Sequence, residues 1–143
     1  SPLAGELSGH IFFADDYFGF DDALYASLRL MDLLAKEGLP MSKLLGQIPK
    51  LYTSPEIKIE CPDDEKFEII QGLQKRLEND LPITTIDGVR ADFEDGWALV
   101  RASNTTPALT ARFEATSEKR LDAIRRIMFE HLKTFPQLEN LDA

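Results

Sequence analysis

Residues 89–100, in the second half of the chain, run Val89-Arg90-Ala91-Asp92-Phe93-Glu94-Asp95-Gly96-Trp97-Ala98-Leu99-Val100. An Asp-Gly pair between two runs of strand-forming residues is a strong short-range signal of a β-hairpin. Asp87-Gly88 offers a competing turn, but a turn at Asp95-Gly96 leaves two arms of strand length. The sequence therefore predicts two antiparallel strands joined at Asp95-Gly96, with Trp97 in the core.

Two further strands and two helices are predicted around this hairpin. Polar and apolar residues alternate over residues 56–61 and 109–114, which is the pattern of half-buried strands. Helices are predicted after Pro62 and after Ser117, whose hydroxyl suits a helix N-cap. Their inward-facing residues would be Phe67, Ile70, Leu73 and Leu77, and Leu121, Ile124, Met128 and Leu132. For residues ~56–135 we predict an α+β fold, an antiparallel four-stranded sheet with two helices on one face, because it buries both apolar stripes.

The first part of the chain predicts a strand followed by helices. Residues 10–13 read as a short buried strand, and Asp21 or Asp22 would cap a helix ending near Lys36. A second, short helix is predicted over residues 41–46. The apolar face of the longer helix would comprise Leu24, Leu28, Met31 and Leu34 or Ala35.

A linker is predicted between these two parts. Pro49 and Pro55 bracket a stretch that cannot form regular helix, because proline removes a hydrogen-bond donor and restricts the residue before it. We therefore predict two domains, residues 1–50 and residues 51–143.

The composition argues against several classes of function. With 25 acidic and 16 basic residues the net charge is −9, which disfavours nucleic acid and anionic membranes as partners. No apolar run reaches the ~20 residues of a membrane span. One cysteine and two histidines predict a reducing, cytoplasmic location and no metal site in this chain. No nucleophile–base pair stands out, which disfavours a hydrolytic triad.

The stretch Arg101-Ala102-Ser103-Asn104-Thr105-Thr106-Pro107 is a candidate phosphate-binding loop. A guanidinium matches phosphate oxygens with parallel donors, and short hydroxyl side chains and backbone N–H groups can fill the remaining lone pairs. No acidic residue occurs between Asp95 and Glu114, which predicts that an anion reaches the loop without meeting a carboxylate. The same residue types also make an ordinary turn between strands, with Arg101 merely solvated, and this alternative stays open.

A second candidate site is Gly5-Glu6-Leu7-Ser8-Gly9-His10. Glycines let the backbone bend closely around a ligand. The ionised Glu6 could accept hydrogen bonds from two neighbouring hydroxyls of a sugar, with Ser8 and His10 adding a hydroxyl and an imidazole. An exposed turn leading into the 10–13 strand is the alternative.

Both motifs together resemble the α-D-phosphohexomutase family, whose sugar-binding and phosphate-binding loops they match in order. Thr53-Ser54-Pro55-Glu56-Ile57 and Thr85-Ile86-Asp87-Gly88-Val89 also fit. The Ser-Asn-Thr-Thr version is most similar to the bacterial phosphomannomutase/phosphoglucomutase type, whereas phosphoglucosamine mutases tend to carry Ser-Gly-Thr-Glu-Pro. The resemblance covers essentially the whole chain.

The resemblance implies an enzyme that interconverts hexose 1-phosphate and hexose 6-phosphate, of glucose or mannose, through a bisphosphorylated sugar. In such enzymes a phosphoserine donates the phosphoryl group and Mg²⁺ supports it. Carried over residue by residue, Glu6, Ser8 and His10 would bind sugar hydroxyls. The phosphate that is not reacting would be held by Arg101, Ser103, Asn104 and Thr105.

The chain departs from the family in lacking the serine loop, the Asp-rich metal loop and the first two domains. The resemblance thus implies a C-terminal fragment, in which residues 1–50 are a strand–helix remnant of the α/β third domain and residues 51–143 the phosphate-binding fourth domain. We expect Mg²⁺ to bind outside this chain, the chain alone to be inactive, and the N-terminal domains of the parent to be its partner. The alternative reading is a non-catalytic anion-binding or protein-interaction module.

Overall fold

A computed structural model describes residues 1–6 and 8–138, so that Leu7 of the second motif and residues 139–143 lie outside the described residues. The chain divides into two compact units, Ser1–Pro49 and Lys50–Ala143. Among the residues described, no helix is long and apolar enough to cross a membrane.

The first unit is a two-stranded antiparallel hairpin followed by two helices. Its elements are β1 (Leu3–Gly5), β2 (Ile11–Phe13), α1 (Ala23–Glu37) and α2 (Met41–Leu45). The Asp22 carboxylate caps α1 by accepting from the Tyr25 N–H at 2.9 Å, and Gly38 ends it in a left-handed conformation. The predicted strand and both helices are confirmed, while β1 was not predicted. The predicted burial of the strand is wrong, since Ile11 is 38% exposed and Phe12 and Phe13 are only partly buried.

The predicted burial of one face of α1 is wrong within this unit. Leu24, Leu28 and Met31 are 73%, 52% and 56% exposed, and α1 contains no buried residue. Helix α1 instead contacts the hairpin through Tyr25, whose ring packs edge-on against the Phe13 ring with their centroids 5.5 Å apart. A two-stranded hairpin is too narrow to cover both sides of a helix, so the leucine face has no layer over it here.

The second unit is an antiparallel sheet with two helices. Its strands are β3 (Tyr52–Thr53), β4 (Ile57–Glu60), β5 (Ile83–Thr84), β6 (Val89–Phe93), β7 (Gly96–Ala102) and β8 (Ala108–Ala115). The strand order is β3-β8-β7-β6-β5, and β4 also pairs with β8. The α+β class is confirmed, and the sheet has six strands rather than four because two-residue strands flank the four predicted ones.

The predicted hairpin at Asp95-Gly96 is confirmed. β6 and β7 pair antiparallel, from Phe93 opposite Gly96 to Val89 opposite Val100. β7 also pairs with β8, with Arg101 opposite Thr110. This register fixes where the loop between β7 and β8 emerges from the sheet.

The core of the second unit lies between the sheet and α3 (Lys66–Leu77) and α4 (Glu118–Leu132). Both helices contact β7 and each other, and the predicted Leu73, Leu77, Ile124, Met128 and Leu132 are buried there.

Two inward predictions for this core are wrong. Phe67 is 53% exposed, whereas its neighbour Lys66 is 5% exposed. The Lys66 side chain turns inward because its ammonium has hydrogen-bond acceptors there. Trp97 is only partly buried, because it lies on the opposite side of β7 from the buried Ala98 and donates from its indole N–H to Glu114 at 2.9 Å.

Candidate functional site

The predicted phosphate-binding loop joins the end of β7 to the start of β8. Ala102 is the last residue of β7, and Ala108 is the first of β8. The Ser103 N–H donates to the Ala108 carbonyl at 2.9 Å, which closes the bend. Asn104 and Thr105 are exposed at its tip.

The Ser103 hydroxyl organises this loop from inside. Its Oγ accepts from the N–H groups of Thr105 and Thr106 at 3.3 and 3.2 Å. It also accepts from the Thr106 hydroxyl at 2.9 Å. Two loop amides are thus engaged by a side chain of the loop itself, so Ser103 has a structural role whether or not it contacts a ligand.

The side chain of Lys66, the first residue of α3, donates hydrogen bonds to the backbone of this loop. Its Nζ donates to the Ser103 carbonyl at 2.6 Å and to the Thr106 carbonyl at 3.4 Å. Its third partner is the Asp63 carboxylate, at 2.7 Å. Sequence reasoning missed this contact, because the loop carbonyls lie 37 and 40 residues away in the chain and a lysine at the start of a helix gives no sign of burial.

Arg101 projects from the last part of β7 and remains 46% exposed. Its Nη1 donates to Asp87 Oδ2 at 3.0 Å, and its Nε donates to the Thr110 hydroxyl at 3.3 Å. The prediction that an anion meets no carboxylate at this loop is therefore wrong. The acid-free window was a property of the sequence between Asp95 and Glu114, whereas Asp87 reaches Arg101 from the neighbouring strand end.

Gly88 explains how Asp87 comes so close to Arg101. Its φ of +81° lies in the left-handed region, and a Cβ there would come within 2.3 Å of the Val100 carbonyl oxygen and 2.6 Å of the Arg101 Cβ. Only glycine permits this approach of the two backbones without strain. The Asp-Gly pair that does not form the predicted hairpin thus places a carboxylate beside the guanidinium.

The second candidate site is the tip of the β1–β2 hairpin, where Glu6, Ser8 and His10 come together at the surface. The Ser8 hydroxyl donates to Glu6 Oε2 at 3.0 Å and lies 3.0 Å from His10 Nδ1. His10 Nδ1 is 3.2 Å from the same carboxylate oxygen. Backbone bonds fix the turn, since the Glu6 N–H donates to the His10 carbonyl and the Gly9 N–H to the Glu6 carbonyl.

The contacts at this tip shift the protonation of both ionisable groups. The hydrogen bond from His10, and then that from Ser8, hold the pKa of the Glu6 carboxyl below its ordinary value. The hydrogen bond to Glu6, and then the charge of Asp21, raise the pKa of His10. Glu6 therefore stays ionised to a lower pH than a free glutamate does.

The described residues do not fit a metal ion. Across residues 1–6 and 8–138, no three histidine, cysteine or carboxylate side chains come together as a metal site would need. Two of the acidic residues before α1 have other partners, since Asp15 pairs with Arg29 at 3.2 Å and Asp22 caps the helix.

Comparison with known proteins matches both units to one family. Residues 56–131 match the family model of the phosphoglucomutase/phosphomannomutase C-terminal domain. Residues 1–52 match that of phosphoglucomutase/phosphomannomutase alpha/beta/alpha domain III.

Individual relatives agree with these matches. The phosphomannomutase/phosphoglucomutase of Pseudomonas syringae pv. tomato is 47% identical over 132 residues, which are 92% of this chain and 28% of the relative. The phosphoglucomutase of Neisseria gonorrhoeae is 40% identical over 95% of this chain and 30% of its own length. A phosphoglucomutase/phosphomannomutase family protein from Burkholderia thailandensis has a solved structure with a TM-score of 0.78 and 39% identity, over 94% of this chain and 28% of that one. The chain thus spans under a third of the length of these relatives.

Proposed function

Because the chain belongs to the phosphoglucomutase/phosphomannomutase family, we propose that it provides substrate-binding groups for the interconversion of hexose 1-phosphate and hexose 6-phosphate. The family membership is the resemblance predicted from the two sequence motifs. The substrates and the roles of individual residues are proposals that follow from it, together with the geometry of the two units.

The phosphate is held by the loop between β7 and β8. The observation that carries this proposal is the Arg101 guanidinium, which is still 46% exposed and belongs to the strand leading into a loop whose tip, Asn104 and Thr105, is also exposed. A fork of N–H donors with neighbouring amide and hydroxyl groups suits the oxygens of a phosphate dianion. Ser103 contributes by holding the loop in shape.

The sugar is held by Glu6, Ser8 and His10 of the other unit. The lowered pKa of Glu6 keeps a carboxylate available to accept from two neighbouring hydroxyls. Both glucose and mannose carry such neighbouring hydroxyls, so we propose hexose phosphates of either sugar as ligands.

The chemical step belongs to groups outside this chain. We propose that the parent enzyme passes through a bisphosphorylated sugar, with the phosphoserine and the Mg²⁺ ion supplied by N-terminal domains that are the partner of this chain. Residues 1–6 and 8–138 do not provide a metal site, and the chain alone is expected to be inactive. Its contribution is to orient the substrate by its non-reacting phosphate and its hydroxyls.

Titration with a hexose phosphate tests this proposal. Backbone and guanidinium N–H resonances of the chain are followed by NMR while glucose 1-phosphate or mannose 6-phosphate is added. We expect shifts in residues 101–107 that are lost in Arg101→Ala. The control is Arg126→Ala, which removes the same charge from an exposed position on α4 and should bind as the unmodified chain does.

The same titration separates the alternative functions. If inorganic phosphate binds the loop as tightly as the sugar phosphates do, a general anion-binding module is favoured. If no resonance of residues 101–107 shifts at millimolar ligand, the result would instead favour a protein-interaction module and contradict the proposed phosphate site.

A further inference from the structure

We propose that Lys66 is a positioning residue for the phosphate site, and that it acts by fixing the direction of the Asn104 N–H. This inference rests on the proposed binding of phosphate by the loop and adds to it a residue from α3. Lys66 is 5% exposed, and its ammonium contacts the backbone of the loop rather than the space in which a ligand would lie.

The peptide bond between Ser103 and Asn104 links the Lys66 contact to the direction of the Asn104 N–H. In a trans peptide the carbonyl oxygen and the N–H point in opposite directions across a rigid plane, and none of the described peptide bonds is cis. Lys66 holds the Ser103 carbonyl oxygen at 2.6 Å. The Asn104 N–H must therefore point away from Lys66.

The Asn104 N–H is free for a ligand on that outer side. Asn104 is exposed, and within residues 1–6 and 8–138 its N–H donates to no backbone carbonyl. The N–H groups of Thr105 and Thr106 are taken by the Ser103 hydroxyl instead. The geometry thus leaves Asn104 as the loop amide prepared for a phosphate oxygen.

The chemistry of Lys66 supports a directional role. Burying an ammonium is costly unless it is paired and hydrogen-bonded, and here Asp63 and two carbonyl oxygens satisfy its three N–H donors. An apolar side chain of similar size would fill the same space but leave the loop carbonyls without a donor. The Ser103–Asn104 peptide would then be held only by the hydrogen bonds of Ser103 itself, and the Asn104 N–H would be available to a phosphate only part of the time.

The first test needs no substitution. Glucose 1-phosphate is titrated into the unmodified chain while the Asn104 backbone N–H and the Arg101 Nε–H are followed by NMR. The inference predicts that both move together, with a large downfield shift of the Asn104 N–H. Movement of Arg101 without Asn104 would overturn the role of Lys66 while leaving the phosphate site intact. If neither moves, the proposed function itself fails.

The second test changes the donor on α3. Lys66→Met is expected to weaken binding of glucose 1-phosphate at least about tenfold, as for loss of a hydrogen bond to a charged group, and to abolish the Asn104 shift while the Arg101 shift persists. Lys75→Met, the same change at an exposed position of α3, should leave binding unchanged. Lys66→Gln also loses the charge but keeps a donor, so it should retain more affinity and part of the Asn104 shift. Equal affinities for Lys66→Met and the unmodified chain would refute the inference.

Discussion

Replacing Gly88 by alanine should destabilise the second unit strongly. The φ of +81° at this position costs an L-residue about 1–2 kcal/mol. The added Cβ would also lie 2.3 Å from the Val100 carbonyl oxygen and 2.7 Å from the Arg101 Cα. Both are backbone atoms of β7 that cannot rotate away, so relieving the overlap means separating paired strands, at a further cost of about 1–3 kcal/mol. Together the two effects lower the free energy of unfolding by roughly 2–5 kcal/mol.

The assay is urea unfolding followed by the fluorescence of Trp97, the one tryptophan of the chain, which lies in β7, the strand that the new Cβ would meet. Gly72→Ala is a comparison within the same unit. There the new Cβ would meet a side chain instead, Phe135 Cε1 at 2.6 Å. A ring can shift, and alanine is the better helix former by about 1 kcal/mol.

We expect Gly88→Ala to cost clearly more than Gly72→Ala. A loss below about 1 kcal/mol for Gly88→Ala would be less than the left-handed backbone alone should cost. That result would refute the account of why Asp87 and Arg101 lie side by side.

Three further changes test other contacts. Asp87→Asn removes the carboxylate that competes with phosphate for Arg101. Because an exposed ion pair is worth about 0.2–1 kcal/mol, calorimetry should show that the variant binds glucose 1-phosphate roughly 1.4- to 5-fold more tightly. Weaker binding would mean that Asp87 orients the guanidinium. NMR titration of the imidazole should show His10 protonated to a higher pH than a free histidine, because Glu6 raises its pKa. The stabilisation from this pair is present between the folded pKa of Glu6 and the unfolded pKa of His10, and it is lost as pH rises through the folded pKa of His10. Glu6→Gln should lower the His10 pKa, and an unchanged value would contradict the contact. Ser54→Ala should lower the free energy of unfolding by about 1–3 kcal/mol in the Trp97 fluorescence assay. The reason is that the buried Ser54 hydroxyl accepts a hydrogen bond from a β8 main-chain N–H at 3.0 Å. A change in the free energy of unfolding within experimental error would show that this N–H has another acceptor.

Local patterns were sufficient to predict most of the second unit. The strands on either side of Asp95-Gly96 and the helix beginning after Ser117 follow from alternation, turn chemistry and capping, and the structure places them there. The two-residue strands β3 and β5 could not be predicted, because two residues carry no periodicity. Their pairing depends on neighbours already held in the sheet.

The parts of the site that sequence reasoning missed are contacts between distant residues. Lys66 is a polar residue that appears solvent-facing in the helix pattern, and only the fold brings the Ser103 carbonyl above it. Asp87 belongs to the Asp-Gly pair that does not form the predicted hairpin. The register of β6 against β7 places it beside Arg101. In neither case did the short-range pattern contain the long-range partner.

A crystal structure of the chain soaked with glucose 1-phosphate tests the central claim most directly. The account predicts the phosphate at the loop between β7 and β8, with its oxygens about 2.7–2.9 Å from the Arg101 guanidinium and a further bond from the Asn104 N–H. A sugar phosphate bound elsewhere, with Arg101 still on Asp87 and residues 103–106 unoccupied at saturating ligand, would contradict it.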